Sequence, residues 1–551
     1  MVISRFIILL NLVAVACTWA ICEYRISINS KARNSHPGSN PGPDVIVGDI
    51  PSVMRWGATT SETSFSIGTT SCNIGTQRMD WIQNSTLHPV ISQNLYRVKD
   101  GRIEQLGMSW LKHGFSVAAG SLCNQCTDPA WNYLGVGCSD PYGANLNGQQ
   151  GGLGPRSEVN ALTGAFAWPK RGLPSSGVLD GRLRVLTTDI NPSLNTGARY
   201  FVESMYVHPQ DAAAGNGLNN ASYREVFVSA VSGGWTVSTS VAAQTVRMHP
   251  AINAWKAVHP DVQLFEVDIP GDGRVIVGLR TTQTAGGYHT AIAIENLNSH
   301  QSVRSLGVRF GSDQIANPGF RDVDYQFEPY SGDDWMPQLA GNTIEWSTET
   351  FAENQNANAI RWNTLYSFWC DSELPPRKLT LGTFRPGAVS EMTIDLVEPI
   401  LPEGVKLRQG VVFGGSPAQL LQSDDNYYSL SLATKSNQPK IDLLIAAVSP
   451  VVSPSDFAFR LESKKVGATD STITQTIELY NYVTSDYEIV DVRPVQNVDV
   501  ALEITPSGDL SRFVHSTTGD VLARVEWKHS AGPARFTWTI DVDEAGWLVA
   551  D

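Results

Sequence analysis

Three closely spaced cysteines have the residue types and spacing for either metal binding or cross-linking. Cys123 and Cys126 form a C-x-x-C motif, and Cys138 follows shortly after it. Such a motif supplies two thiolates at zinc-ligand spacing, and His113 would add a nitrogen ligand. In an oxidising compartment the same cysteines would form disulfides that hold a loop rich in Gly, Asn and Pro. No second C-x-x-C follows, and the βαβ context of a thiol redox site is missing, so the sequence favours disulfides.

Beyond the linker, four histidines stand directly before a proline, namely His88, His208, His249 and His259. A residue before proline is held extended, so we expect these histidines at strand ends or turns. This shared context suggests a second function, a secreted hydrolase or metal-dependent enzyme with a site near residues 113-155 and 203-220. That hypothesis requires His88, His113 and His208 to converge. No H-x-H, H-x-x-x-H or HExxH spacing supports it, and structural histidines are the simpler interpretation.

Paired carboxylates offer two further kinds of site. Asp322 and Asp324 would share one face of a strand, as a glycosidase or a calcium site requires, and Asp333-Asp334 follows closely. Residues 325–335 mix aromatic and acidic side chains, which suits stacking on sugars, although the aromatics are equally consistent with a core. Residues 211–220 offer oxygen ligands for calcium without the ordered spacing of a calcium loop. Solvated loop carboxylates are the alternative throughout, and no G-x-S-x-G motif indicates a serine nucleophile.

Short strands must position these residues, because long amphipathic helices are absent from the pattern. Asp100-Gly101 separates two apolar runs, which predicts a hairpin that pairs residues 95–98 with residues 103–106. A second hairpin is predicted at residues 264–269 and 274–280, and only residues 253–258 suggest a helical turn. The predicted fold class is therefore mainly β: a multidomain chain of antiparallel β-sandwich (Ig-like) modules with long irregular loops. Residues 139–155, which hold many glycines, are predicted as one such loop.

The C-terminal part has the clearest alternation of apolar and polar residues. Three runs show a period of two, which indicates half-buried antiparallel strands. Their apolar members are Val498, Val500, Leu502 and Ile504; Val521, Ala523, Val525 and Trp527; and Phe536, Trp538, Ile540 and Val542. We therefore assign residues 375-551 to an Ig-like β-sandwich region of one or two sandwiches, and residues 44-374 to a β-rich N-terminal region of one or two domains.

The first residues are typical of export. A short basic start and an apolar run too short to span a bilayer predict a signal peptide over residues 1-20, followed by a linker over residues 21-43. Lipidation of Cys17 and retention of the run as a membrane anchor are the two alternatives. Cleavage near Ala20 or lipidation of Cys17 would leave six of the seven cysteines able to pair, in an order that sequence does not assign.

Charge excludes two classes of partner. The net charge is −14, only 17% of residues are charged, and no cluster of Lys and Arg occurs. Nucleic acids and anionic membrane surfaces both need such a cluster, so neither is an expected partner. A membrane would be reached only through an N-terminal lipid or an uncleaved anchor.

Three segments carry a resemblance to other proteins. Residues 68–97, 134–155 and 206–224 resemble uncharacterised large secreted proteins of environmental bacteria, and the resemblance extends over most of the chain from Asp44 onward. It implies export and carries over no catalytic residue, ligand or cofactor. Our leading hypothesis is therefore a secreted or cell-envelope, non-catalytic protein that binds a glycan or a cell-surface partner through β-sandwich modules.

Overall fold

The computed structural model describes residues 41–397, 400–432, 440–454, 456–467, 473–529 and 538–550, together with the backbone of one short strand at Glu23–Arg25. The predicted signal peptide (1–20) and most of the predicted linker (21–43) lie outside these residues, as do Cys17, Cys22 and Phe536. No helix among the described residues is long and apolar enough to cross a membrane.

The chain is mainly β, as its sequence predicts, with 50% of residues in strands and 6% in helices. The α-helices are all short: α1 (Ala144–Asn147), α2 (Pro209–Ala213) and α3 (Ile252–Val258), the last at the predicted helical turn. Single turns of 3-10 helix occur at Gln150–Gly152, Arg156–Glu158, Pro417–Leu420 and Leu510–Phe513.

The described residues form two compact units. Unit 1 takes in residues 41–308, 315–371 and 380–394, and unit 2 takes in residues 309–314, 372–379 and those from 395 onward. The division at residue 375 that the sequence suggests stays a prediction.

Unit 1 contains strands β1 to β28; four of them, β22, β26, β27 and β28, lie in it for at least half of their length and continue into unit 2. Their bounds are β1 (Glu23–Arg25), β2 (Val45–Asp49), β3 (Val53–Ala58), β4 (Glu62–Ile67), β5 (Thr69–Asn73), β6 (Met79–Asp80), β7 (Val90–Lys99), β8 (Arg102–Met108), β9 (Leu111–His113), β10 (Tyr133–Leu134), β11 (Ser139–Tyr142), β12 (Leu153–Gly154), β13 (Val159–Asn160), β14 (Ala165–Phe166), β15 (Leu183–Leu186), β16 (Arg199–Val207), β17 (Ala221–Val231), β18 (Gly234–Thr239), β19 (Gln263–Asp268), β20 (Arg274–Thr284), β21 (Gly287–Asn296), β22 (Val303–Phe310), β23 (Ile315–Arg321), β24 (Met336–Ala340), β25 (Thr343–Ser347), β26 (Thr364–Ser372), β27 (Pro376–Thr383) and β28 (Glu391–Asp395).

A seven-stranded sheet in unit 1 carries most of the residues discussed below. Its order is β12-β9-β7-β16-β17-β18, and β8 pairs with the remaining part of β7. Smaller sheets of order β11-β5-β2 and β15-β4-β3 accompany it, as do a five-stranded sheet (β19-β20-β21-β26-β23) and a six-stranded sheet (β1-β28-β27-β22-β25-β24). One apolar core of this unit gathers side chains from β2, β4, β7 and β16, with Trp81 and Tyr206 fully buried in it.

Both hairpins predicted in unit 1 are confirmed. Val98 pairs with Ile103 across the turn between β7 and β8, where Asp100 and Gly101 have φ angles of 51° and 77°. Positive φ at both central residues is what a two-residue hairpin turn requires, and Asp-Gly tolerates it. Strands β19 and β20 pair in the same way, with Asp268 opposite Arg274.

Unit 2 is a β-sandwich of two five-stranded sheets, β29-β32-β37-β34-β35 and β30-β31-β38-β33-β36. The strands are β29 (Gly404–Gln409), β30 (Val411–Gly414), β31 (Tyr428–Ser431), β32 (Lys440–Val448), β33 (Asp456–Gly467), β34 (Ile473–Asn481), β35 (Asp486–Pro494), β36 (Val500–Ile504), β37 (Asp520–His529) and β38 (Trp538–Ala550). Their inward side chains form one continuous core.

The alternation predicted for unit 2 holds in two runs and fails at one residue. Val521, Ala523, Val525 and Trp527 are all fully buried on β37, and Ile540 and Val542 are buried on β38. Val498, however, lies before β36 begins and is 66% exposed, so its predicted place on a buried face is wrong. The run Val498-Asp499-Val500 has the period of a strand, but the chain joins the sheet only at Val500.

Residues 139–155 are also more regular than the sequence predicts. Strand β11 pairs with β5, α1 follows it, and β12 pairs with β9. The prediction of a single long irregular loop is therefore wrong. The missed elements are two to four residues long, and their partners are far away in sequence, so no local period marks them.

Candidate functional site

Two disulfides bracket a compact surface loop, which we call the disulfide loop (residues 122–138). Cys72 on β5 is bonded to Cys123, and Cys126 is bonded to Cys138. The disulfide interpretation is therefore confirmed, and the zinc site built from Cys123, Cys126 and His113 is wrong, because none of these sulfurs is left as a thiolate. Cys370 is a free, buried thiol.

Backbone hydrogen bonds hold the disulfide loop against unit 1. The N–H of Val117 donates to the carbonyl of Trp131 at 3.0 Å, and the N–H of Trp81 donates to the carbonyl of Asn132 at 2.8 Å. The Tyr133 hydroxyl donates to Asp128 at 2.8 Å within the loop. The backbone at Trp131 and Asn132 is thus held by bonds that involve no part of the indole ring of Trp131.

The indole ring of Trp131 points outward from this fixed backbone. Trp131 is 70% exposed and is the one exposed tryptophan among the described residues. Exposed amide and carboxylate groups stand on the same loop, at Asn124, Gln125 and Asp128. An exposed aromatic ring on a loop that also carries hydrogen-bonding groups is the usual composition of a surface that recognises an amphipathic ligand.

The three histidines of the metal hypothesis do not form one cluster. His88 Nε2 lies 2.8 Å from His113 Nδ1, so these two imidazoles do meet. His208 is used elsewhere: its Nε2 donates to the carbonyl of Asp80 at 2.8 Å, and its Nδ1 accepts from the N–H of Gln210 at 3.1 Å. Within the described ranges, no group of three or more His, Cys, Asp and Glu side chains is placed to hold a metal ion.

The protonation of the His88–His113 pair follows from its neighbours. His88 Nδ1 faces the carbonyl of Ile82 at 3.4 Å, so that nitrogen carries the proton and Nε2 accepts from His113. Phe166 and Trp168 pack against both rings. Burial in this aromatic surrounding lowers the pKa of His88 to about 4 and that of His113 to about 3, because the charged form loses its hydration.

We expect His88→Gln to change how stability depends on pH. His88 is neutral in the folded protein, whereas in the unfolded chain it gains a proton below pH about 6.5. The free energy of unfolding is therefore unaffected by this group above that pH and falls as the pH drops from about 6.5 toward about 4, by roughly 3 kcal/mol in all. Glutamine keeps an acceptor for His113 but does not titrate. Urea unfolding at pH 7 and pH 4.5 should show the free energy of wild type falling relative to the variant; an equal difference at both pH values would contradict the assignment.

Several of the carboxylates that the sequence offered for calcium or glycosidase chemistry accept hydrogen bonds from protein groups. Asp211 is buried, and its two oxygens accept from the N–H of Val45 and the amide of Asn220. Strand β23 ends at Arg321, so Asp322 and Asp324 do not share a strand face and that prediction is wrong. Within residues 325–335, Trp335 belongs to the core whereas Phe327 is exposed.

A buried polar network that the sequence did not single out lies between β7, β16 and β21. Its members are Asn94, Tyr96, Arg156, Glu203, Glu295 and Asn363, none of them more than 3% exposed. The amides of Asn94 and Asn363 donate to Glu203 at 3.0 and 2.7 Å. Arg156 donates to Asn94 Oδ1 at 2.8 Å and to the carbonyl of Ser109 at 2.7 Å.

The two carboxyl groups of this network receive the start of α3. The N–H groups of Ala251 and Ile252 donate to Glu203 and Glu295 at 2.6 and 2.9 Å. Burial and the neighbouring Glu203 raise the pKa of Glu295 well above its usual value. Because protein donors occupy these oxygens and the pair is fully buried, the arrangement serves to pack the sheet and the helix rather than to receive a substrate.

An open cleft of about 660 Å³ in unit 2 is lined by Asp425, Tyr427, Lys464, Val498 and Asp499, among others. The Tyr427 hydroxyl is shared between Asp425 and Asp499 at 2.8 and 2.7 Å, and the Lys464 ammonium covers its ring at 3.6 Å. The Lys464 side chain covers one face of the Tyr427 ring, so this ring offers less free surface for stacking than that of Trp131.

Comparisons with known proteins give no family. No protein-family model matches the chain, and no curated protein matches it. Among solved structures, the N-terminal CBM22-1-CBM22-2 tandem domain of Paenibacillus barcinonensis Xyn10C is 11% identical, with 53% of this chain and 91% of that chain covered and a TM-score of 0.21. A chain from the structure of infectious bursal disease virus, Gx strain, is 13% identical, with 52% of this chain and 70% of that chain covered and a TM-score of 0.16. The isomalto-dextranase of Arthrobacter globiformis T6, complexed with panose, is 11% identical, with 49% of this chain and 36% of that chain covered and a TM-score of 0.12. At these values the likenesses carry no conclusion about activity or ligand.

Proposed function

We propose that this chain is an extracytoplasmic, non-catalytic protein that binds a glycan, with Trp131 as the central contact. The observation that carries the proposal is a tryptophan 70% exposed on a loop that two disulfides and backbone hydrogen bonds hold in place. In most folded proteins a tryptophan side chain is largely buried. Since its loop is fixed before any ligand arrives, little backbone entropy remains to be lost on binding.

The chemistry of the disulfide loop fits a sugar better than a purely apolar ligand. An indole face stacks on the C–H face of a pyranose, and the amides of Asn124 and Gln125 both donate and accept hydrogen bonds, as hydroxyl groups require. Leu122 and Val136, also exposed on the loop, add a small apolar border. Disulfides and the export-type N-terminal sequence support a location outside the cytoplasm.

We expect Trp131→Ala to abolish glycan binding while the fold is kept. Loss of a central aromatic contact costs about 2 kcal/mol or more, which is roughly a 30-fold weaker Kd. Native gels containing dextran, laminarin or xylan would identify a polysaccharide that retards the wild-type protein, and the variant would then migrate as it does in a gel without polysaccharide. Quenching or a shift of tryptophan fluorescence on titration gives the Kd.

The matched control is Phe413→Ala, because Phe413 on β30 is also an aromatic residue and is 73% exposed. It should bind as wild type does. Equal retardation of Trp131→Ala and wild type would contradict the role of Trp131, and wild-type mobility unchanged across the three neutral polysaccharides and a glycan array would contradict glycan binding itself.

A further inference from the structure

Lys112 on β9 is a buried lysine without an acidic partner. The residue is 3% exposed, and its ammonium makes no hydrogen bond or ion pair within the described part of the chain; the Phe115 ring lies 5.3 Å away. An ammonium held in such a mostly buried position without a counter-ion is destabilising. Burial, with the charge of Lys170 nearby, lowers the pKa of Lys112 to about 8, so it is still mostly charged at neutral pH.

A second cation and an imidazole stand beside Lys112. Lys112 pairs in register with Leu153 on β12, and the carbonyl of Leu153 accepts from the ammonium of Lys170. That bond uses one of the three N–H groups of Lys170 and leaves two free for another acceptor. His113 follows Lys112, and its Nδ1 is bonded to His88, so its Nε2 side faces β12.

The glycines of β12 and of the turn before it let the backbone lie directly on these groups. A Cβ at Gly152 would be 2.2 Å from Lys112 Nζ, and a Cβ at Gly154 would be 2.5 Å from His113 Nε2 and 2.9 Å from Lys170 Cδ. A side chain at Gly154 would collide with the imidazole ring of His113, and one at Gly152 would displace the end of Lys112. The adjoining Gly151 is exposed, and a Cβ there would meet no atom within 4 Å, so the turn over Lys112 borders open solvent.

We infer that Lys112 and Lys170 form an oxyanion-binding site, which takes a carboxylate or sulfate group of a ligand whose carrier lies beside Trp168. An oxyanion supplies the acceptors that both ammonium groups lack and neutralises the repulsion between them. Glu158 acts on Lys170 through its charge, but the backbone N–H of Arg171 also engages it. The half-buried ring of Trp168 lies against His88 and His113 and provides an apolar flank for the carrier of the anion.

The site is separate from Trp131 in residues and in chemistry, so it holds or fails independently of the proposed glycan binding. Calorimetric titration of the full chain with sodium sulfate and with sodium galacturonate, at constant ionic strength in chloride, tests it directly. We expect the wild type to bind at least one of these anions and Lys112→Met to bind it about 10-fold more weakly or not at all. Lys256→Met, which removes one charge from the exposed face of α3, should bind as wild type does.

Stability separates this role from a structural one. If Lys112 is present for an anion, replacing its unpaired charge by the similar length of methionine should leave the urea midpoint unchanged or raise it. A lower midpoint in Lys112→Met, or a wild type that binds neither anion, overturns the proposal. So does a variant that binds the anion with wild-type affinity.

The source of the anion is distinguished by matched polymers. Polygalacturonate binding more tightly per site than galacturonate, or dextran sulfate binding where dextran does not, assigns the group to an acidic polysaccharide. Binding of the small anions without gain from the polymers assigns it to a free anion. In either case Trp131→Ala should leave the affinity for the anion unchanged, and acetylation of Lys112 by acetic anhydride, followed by mass spectrometry, should slow when the anion is bound.

Discussion

Replacement of Arg156 by leucine should destabilise unit 1 by about 3–5 kcal/mol, one of the largest effects expected of a single substitution in this chain. Arg156 is 3% exposed and donates to acceptors on Ser109, Asn94 and Asn363. Leucine fills part of the volume but leaves those buried acceptors unpaired, and each such loss costs about 1–3 kcal/mol. It also removes a positive charge that interacts with Glu203 and Glu328.

Arg199→Leu is the control for this substitution. Arg199 on β16 makes a two-pronged ion pair with Glu225 at 2.7 and 2.8 Å, but its side chain is 45% exposed. Exposed pairs contribute about 0–1 kcal/mol, so this variant should unfold near wild type. Urea unfolding followed by circular dichroism measures both. An Arg156→Leu loss no larger than that of Arg199→Leu would show that the buried network contributes little to stability.

Trp527→Ala should destabilise unit 2 by about 3–5 kcal/mol. Trp527 is fully buried on β37, between Ile441 of β32 and Gln475 of β34. Its indole N–H donates to Gln475 at 2.8 Å. Alanine therefore leaves a cavity in the core beneath the central strand of a five-stranded sheet and removes one of the two donors to Gln475 Oε1, the other being the Ser463 hydroxyl.

The loss should be confined to unit 2, and hydrogen exchange measured on peptides provides the readout. Peptides of β32, β34 and β37 should exchange faster in Trp527→Ala, whereas those of β7 and β16 should keep wild-type protection. Phe413→Ala, which truncates an exposed aromatic residue of the same unit, should stay within about 0.5 kcal/mol of wild type. Wild-type protection throughout Trp527→Ala would contradict the assigned core.

The sequence predicts the elements whose signals are local. Asp100-Gly101 specifies its hairpin because only residues that tolerate positive φ fit the turn. Val521, Ala523, Val525 and Trp527 specify a buried face because a strand places alternate residues on one side. Where the period continues past the end of the pairing, as at Val498, the same rule gives a wrong result, since exposure is decided by neighbouring strands and not by the run itself.

The candidate sites depend on partners that are distant in sequence, so much less of them is predictable. The pairing of Cys72 with Cys123 follows from the position of β5, which no spacing between cysteines encodes. Strand β12 brings Lys112 and Lys170 into one neighbourhood, because Lys112 pairs with Leu153 and Lys170 donates to the carbonyl of Leu153. This strand has only two residues. A usable signal did exist for the buried network: Glu203 and Glu295 each interrupt an apolar strand sequence, and an acid in such a position is either buried with partners or functional.

The two disulfides also determine how the chain would respond to a protease. A cut anywhere between residues 126 and 138, including one beside Trp131, leaves the two fragments joined by Cys126–Cys138. A cut between residues 72 and 123 is likewise held by Cys72–Cys123. Between Cys72 and Cys138, only the Asn124-Gln125 link lies outside the two loops that the disulfides close. Nicking of this surface would thus go unnoticed on a non-reducing gel, and the fragments would separate only after treatment with a thiol.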